Sequence, residues 1–122
     1  MNIEYLKNNG TEIAVVSSDE YVIVDTQSAL DLVMTVKYET GATKLVISKS
    51  AICEDFFILS TGIAGEILQK FVNYHVKVAI YGDYSHYISK PLKDFIYESN
   101  KGKDFFFVST KEEAIQKLTE TQ

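Results

Sequence analysis

Apolar residues recur along this chain with two different periods, and the switches between them outline its elements. Ile3-Glu4-Tyr5-Leu6 and Glu12-Ile13-Ala14-Val15-Val16 are strand-like runs on either side of Asn8-Asn9-Gly10. Asn-Gly is the strongest short hairpin signal, because both residues tolerate positive φ. A polar stretch with a short apolar piece, Tyr21 to Val24, leads to a helix start at Asp25 or Thr26. Within that helix Ala29, Leu30, Val33 and Lys37 are predicted to share a face, and Gly41 is the expected stop. Lys44-Leu45-Val46-Ile47-Ser48 reads as a buried strand, whereas Ser50 to Leu59 fits a strand, a short helix or a packed loop equally well.

From Ser60 the period becomes helical again. Ile63, Ile67 and Phe71 recur every four residues, with Ala64, Leu68 and Val72 beside them, which is a wide buried stripe. Val76 to Tyr81 is the clearest strand. Pro91 sits where proline is tolerated, in a first helical turn, with Ser89 as its cap. Leu92, Phe95, Ile96 and Ser99 form the inner face and Gly102 the end. Asp104 to Val108 is a fifth strand, and Thr110-Lys111-Glu112-Glu113 has capping-box spacing ahead of a helix facing inward through Ala114, Ile115 and Leu118. The order is ββαβαβαβα with no linker or repeat, which predicts one α/β domain over residues 1–122. Its crossovers imply a mostly parallel sheet, made mixed by the opening hairpin.

Composition narrows the possible partners. The chain has 122 residues, 46% hydrophobic and 24% charged, in the range of a folded globular domain. Its net charge is −5 and all twelve basic residues are lysine. Without arginine it lacks the guanidinium fork that reads guanine or clamps phosphate, and an acidic chain forgoes the counterion release that drives nucleic-acid binding. Nucleic acid is therefore not an expected partner. No apolar run approaches the ~20 residues of a membrane-spanning helix, the start lacks a secretory pattern, and a lone Cys53 cannot pair internally. A cytoplasmic setting is the expectation.

Ligands of parallel α/β sheets gather where the strands end. That edge should collect Ser48-Lys49, Gly82-Asp83 and Ser109-Thr110, with the helix start Ser60-Thr61-Gly62. Small residues at a helix start can admit an anion, although Gly65-Glu66-Ile67 replaces the Gly-Lys-Ser/Thr of a nucleotide loop. In the loop GDYSHYISKP, Asp83, Ser85, His86 and Lys90 supply the residue types of a hydrolase or small-ligand site. Adjacent side chains such as Ser85 and His86 usually diverge, however, and no Gly-x-Ser-x-Gly elbow is present. Neither His75 nor His86 pairs at a familiar spacing with Cys53, Glu54 and Asp55, so no metal or cofactor is expected. Eight tyrosines and seven phenylalanines are many for this length. Asp83, Tyr84, Ser85, His86, Tyr87 and Tyr97 fit a surface for a protein partner or for self-association better than a catalytic centre.

Phe56-Phe57, Gly62 to Phe71, Asn73-Tyr74, Ala79-Ile80, Gly82 to Ser85, Ser89-Lys90 and Phe95 to Asn100 resemble the bacterial domain-of-unknown-function 4180 family, with His75 where that pattern has a basic residue. The element order is also similar to STAS domains, the sulfate-transporter and anti-sigma-antagonist group of small switch modules. Leu59-Ser60-Thr61-Gly62-Ile63 resembles their strand-to-helix junction, with Leu59 in place of an aspartate. That resemblance implies a non-enzymatic regulatory or interaction role and aligns Ser60 with a phosphoacceptor.

Overall fold

The computed structural model describes residues 1–121. Five strands form one sheet in plain sequence order: β1 (Asn2–Asn8), β2 (Thr11–Ser17), β3 (Lys44–Ser48), β4 (Lys77–Tyr81) and β5 (Phe105–Val108). β1 and β2 are antiparallel and every later pair is parallel. Asn9 and Gly10, at φ 51° and 82°, make the two-residue hairpin that Asn-Gly predicts.

The helices are α1 (Thr26–Thr40), α2 (Ile63–Asn73), α3 (Lys90–Lys101) and α4 (Lys111–Glu120). Neighbouring parallel strands joined by crossovers of one hand must carry their helices on one side, and burial follows that rule. Ala14, Val16, Leu45, Ile47, Val78, Ile80 and Phe107 pack with the inner faces of α1 and α2 and with Leu92 of α3. The alternate strand residues Ile13, Val15, Val46, Ala79 and Phe106 face the other way and meet Ala114, Ile115 and Leu118 of α4. One face therefore has three helices and the other has one.

α4 crosses its face obliquely. It starts at Thr110, just beyond β5, and ends over the opposite edge, where Lys44 Nζ donates to the Leu118 carbonyl at 2.9 Å and Asn8 Nδ2 to Thr119 Oγ1 at 3.0 Å. The corner of this face above the carboxyl ends of β2, β3 and β4 is left without a helix.

Several expectations need correction. The inner face of α1 is Ala29, Leu32, Val33 and Val36, not Leu30 and Lys37. Spacings of three and four can begin on either side of Ala29, and the sheet selects the more apolar set. Lys37 instead reaches the Tyr74 carbonyl at 3.2 Å. Asp25 does cap α1, accepting from Ser28 N at 2.8 Å, and its carboxyl lies below the usual range because of that bond. The undecided stretch after β3 consists of three single 3-10 turns, Lys49–Ala51, Glu54–Phe57 and Leu59–Thr61. They bury Phe56 and Phe57, and Ile52 bridges to Ile23 of the earlier apolar piece. α2 consequently begins at Ile63 rather than at Ser60. Thr110 caps α4 by accepting from Glu113 N at 3.1 Å, but the Glu113 carboxylate meets the Thr110 hydroxyl instead of closing the box on its backbone.

Candidate functional site at the carboxyl edge of the sheet

The loop after β4 lies against the 3-10 turn that follows β3. Gly82 passes so close to Lys49 that a Cβ on the glycine would stand 2.7 Å from the lysine's Cβ. A side chain there would drive the two segments apart, so glycine is required by contact.

Lys49 lies at the centre of this edge. Its ammonium is 4.8 Å from the Tyr87 ring centre, 5.2 Å from that of Phe57 and 3.6 Å from Glu54 Oε1. The Tyr87 hydroxyl donates to Glu54 Oε2 at 3.0 Å, and the Tyr87 and Phe57 rings stack at 5.5 Å. Burial pulls the Lys49 pKa down, but Tyr87 and Glu54 together outweigh it and the net shift is upward. Lys49 is thus a cation at neutral pH, held between two rings and a carboxylate. For Tyr87, burial and Glu54 raise the phenol's pKa against the pull of Lys49, so it stays protonated and donates.

The sequence-predicted residues divide into three groups. Tyr84 turns inward: its hydroxyl donates to the Ile80 carbonyl at 2.8 Å and its ring packs against Phe57 and Phe107. Burial, with Tyr87 nearby, raises its pKa well above the ordinary tyrosine value. Tyr84 is therefore a strut under the loop, only partly covered and still lining the hollow beside it. Asp83 and Ser85 form a second group, lining a shallow hollow with Gly82, Tyr84 and Ser109. Asp83 Oδ1 accepts from Ser85 N at 2.8 Å, and bonding to Ser85 holds the carboxyl below its usual range, with His86 and Lys49 assisting.

The third group is a groove of about 390 Å³ between the last two 3-10 turns and the loop. Phe57, Ile58, Leu59 and Ser60 form one wall, and His86, Tyr87, Ile88, Ser89 and Pro91 the other, with Leu92. Ser60 and His86, 26 positions apart in the chain, come together here. The groove's rims are apolar, since Ile58 is 49% exposed and Ile88 is 87% exposed.

Thr61 and Gly62 have local duties. The Thr61 hydroxyl donates to the Asp55 and Ile58 carbonyls, both at 2.8 Å, and accepts from Ile63 N at 3.3 Å. Gly62 is the left-handed residue joining the last 3-10 turn to α2, and no side chain caps that helix. Ser60 is exposed, does not cap α2 and lines the groove with His86.

The polar groups of a hydrolase are not assembled. Lys90 pairs with Asp94 at 2.7 Å on exposed helix surface, and His86 lies against Tyr87 at 4.1 Å between ring centres. Tyr97 is exposed on α3 beneath the Lys101 ammonium, at 4.2 Å, and lines neither hollow nor groove. Cys53 Sγ points to the Val24 carbonyl at 3.6 Å. Among the described residues no cluster of three or more His, Cys, Asp or Glu could hold a metal ion, and no helix is long and apolar enough to cross a membrane.

Sequence reasoning placed Lys49 at this edge without giving it a role, weighed Glu54 only as a metal ligand, and passed over Ile58 and Ile88. The available signal was Ile88 itself, a large aliphatic residue within the polar loop Tyr84 to Ser89. No match to the chain was found among curated proteins or among solved structures. The family described as "Domain of unknown function (DUF4180)" matches residues 8–118, which include the hairpin turn, all four helices' inner faces and the whole of this edge. The chain belongs to that family.

Proposed function

We propose that the chain is a non-enzymatic regulatory or interaction domain of bacterial cytoplasm that works through protein contacts, its own copies included, at the groove between residues 57–60 and 86–92. The observation that carries this reading is the exposure of Ile58 and Ile88 on facing rims of one concavity. Single exposed apolar residues are ordinary, but a pair flanking a groove with a ringed tyrosine between them is the form of a contact surface. The Lys49–Glu54–Tyr87 cluster beneath gives the groove a fixed floor, which lowers the ordering cost of binding.

The architecture is proposed to be STAS-like, in support of which stand the alternating order of strands and helices and the position of Ser60 at the junction before α2. Phosphate on Ser60 would add charge to the groove wall opposite His86. The loop's polar residues do not favour the alternative hydrolase or small-ligand site, since Lys90 is engaged by Asp94 and Asp83 by the loop's own backbone.

The test is sedimentation equilibrium of the wild type beside Ile58→Asp/Ile88→Asp, with circular dichroism melting of both. Concentration-dependent association in the wild type and its loss in an equally stable variant support the assignment. A wild type that stays monomeric, together with unchanged pull-down partners in the variant, would overturn it.

A further inference from the structure

The second front of the carboxyl edge lies on the α4 face, away from the groove. β1 starts where β2 ends, so Asn2 is paired with Ser17. One step past the Val16–Ile47 pair, Ser17 stands beside Ser48, and Ser48 is paired with Tyr81. These four share the face of Val15, Val46 and Ala79 by alternation, and Tyr81 packs against that cluster. An amide, two hydroxyls and a phenol therefore stand in one line across β1, β2, β3 and β4. The strands are spaced at about 4.8 Å. α4 runs diagonally away from this corner, and the line forms one side of an open hollow of about 420 Å³ completed by Met1, Ser18, Asp19 and Ser50.

We infer that this cavity binds a small, neutral, polyhydroxylated molecule of the sugar or polyol class. Its volume is within the range of about 300–1,000 Å³ for small-molecule sites, but apart from Met1 and the Asp19 carboxylate its lining is hydroxyl, amide and phenol in place of the usual apolar wall. Serine and tyrosine hydroxyls both donate and accept, which suits ligand hydroxyls that do the same. The strand spacing matches 1,3-related hydroxyls on a six-membered ring, and the Tyr81 ring offers an apolar flank to C–H groups. Among the described residues, the Asn2, Ser17 and Tyr81 side chains have no hydrogen-bond partner, whereas the Ser48 hydroxyl bonds the Ser50 hydroxyl at 2.8 Å and accepts from Ser50 N at 3.2 Å. The Asp19 carboxylate in the lining and a net charge of −5 oppose an anionic ligand, and Lys49, the first residue of the 3-10 turn after β3, lies instead against Phe57 and Tyr87.

The experiment is a ¹H–¹⁵N correlation titration of the full chain with glucose, galactose, ribose, inositol and glycerol, each beside sodium phosphate. The expected result is saturable shifts for at least one polyol, confined to the amides of Asn2, Ser17, Ser18, Asp19, Ser48, Ser50 and Tyr81. Phosphate should leave those amides in place. Tyr81→Phe and Ser17→Val should each weaken the response about fivefold, the loss of one neutral hydrogen bond. If no polyol gives saturable shifts, the cavity is a set of solvated strand ends and the inference is overturned. Equal shifts with phosphate, or none of the expected weakening in correctly folded variants, would also overturn it. Ile58→Asp/Ile88→Asp should bind the polyol normally, so failure here and failure at the groove are distinguishable.

Discussion

At the scale of single residues, the edge is organised by contact between Lys49 and Gly82. Lys49 is charged yet mostly covered, its side chain 14% exposed beside a Glu54 that is 58% exposed. A half-solvated ion pair of that kind contributes little by itself; the two aromatic rings and the Tyr87 hydroxyl give the cation its fixed place. Because Gly82 lies against the same lysine, Gly82→Ala inserts a methyl where no space exists. Overpacking of this kind costs about 1–3 kcal/mol, so urea unfolding of Gly82→Ala should show that loss at unchanged slope. Resonances of Tyr87 and Ile88 should move with it, since the loop must lift. Wild-type stability in Gly82→Ala would mean that Lys49 yields freely and does not set the loop's position. Tyr84 shows what the sequence could not resolve here. Tyrosines near one loop look alike in a string of letters, and only the bond from the Tyr84 hydroxyl to the Ile80 carbonyl marks it as the one that also supports the loop.

At the scale of elements, the local signals were largely legible. Asn9-Gly10 fixed the hairpin, Gly41 and Gly102 ended their helices, and Ser89 capped α3 as expected, accepting from Leu92 N at 3.5 Å. Residues 49–61 were not legible, because 3-10 turns have no extended period and depend on tertiary partners such as Ile23 for their backbone bonds. Cys53 N donating to the Ile23 carbonyl at 2.9 Å is a contact across 30 positions that no local pattern announces. α4 offers a quantitative check, since Leu118 and Ala114 are the only fully covered helical side chains on its face. Leu118→Ala should cost about 2–5 kcal/mol, and Thr110→Ala, which removes only the cap, about 1 kcal/mol. Thermal or urea denaturation measures both. Equal losses would mean that the second face is held by something other than α4's packing.

At the scale of the whole molecule, the period switches disclosed the class of fold but not the strand order, since any arrangement of parallel crossovers satisfies them. The sequential order has a geometric consequence. It commits three helices to one face and leaves a corner of the other uncovered, so the carboxyl edge acquires two fronts. One is the apolar groove over Lys49 and Tyr87, and the other is the polar line from Asn2 to Tyr81. The groove was half visible in the sequence, through Ser60, His86 and Tyr87. The polar line was invisible, because its members lie on four strands and meet only through register.

The proposal that the groove makes protein contacts is tested most directly by a dilution series of ¹H–¹⁵N correlation spectra of the wild-type chain, from millimolar to low micromolar. The account predicts concentration-dependent shifts confined to residues 57–60 and 86–92, with Ile58 and Ile88 moving most and the line from Asn2 to Tyr81 unmoved. Spectra that superimpose at every concentration, or shifts that map to another face, would contradict it.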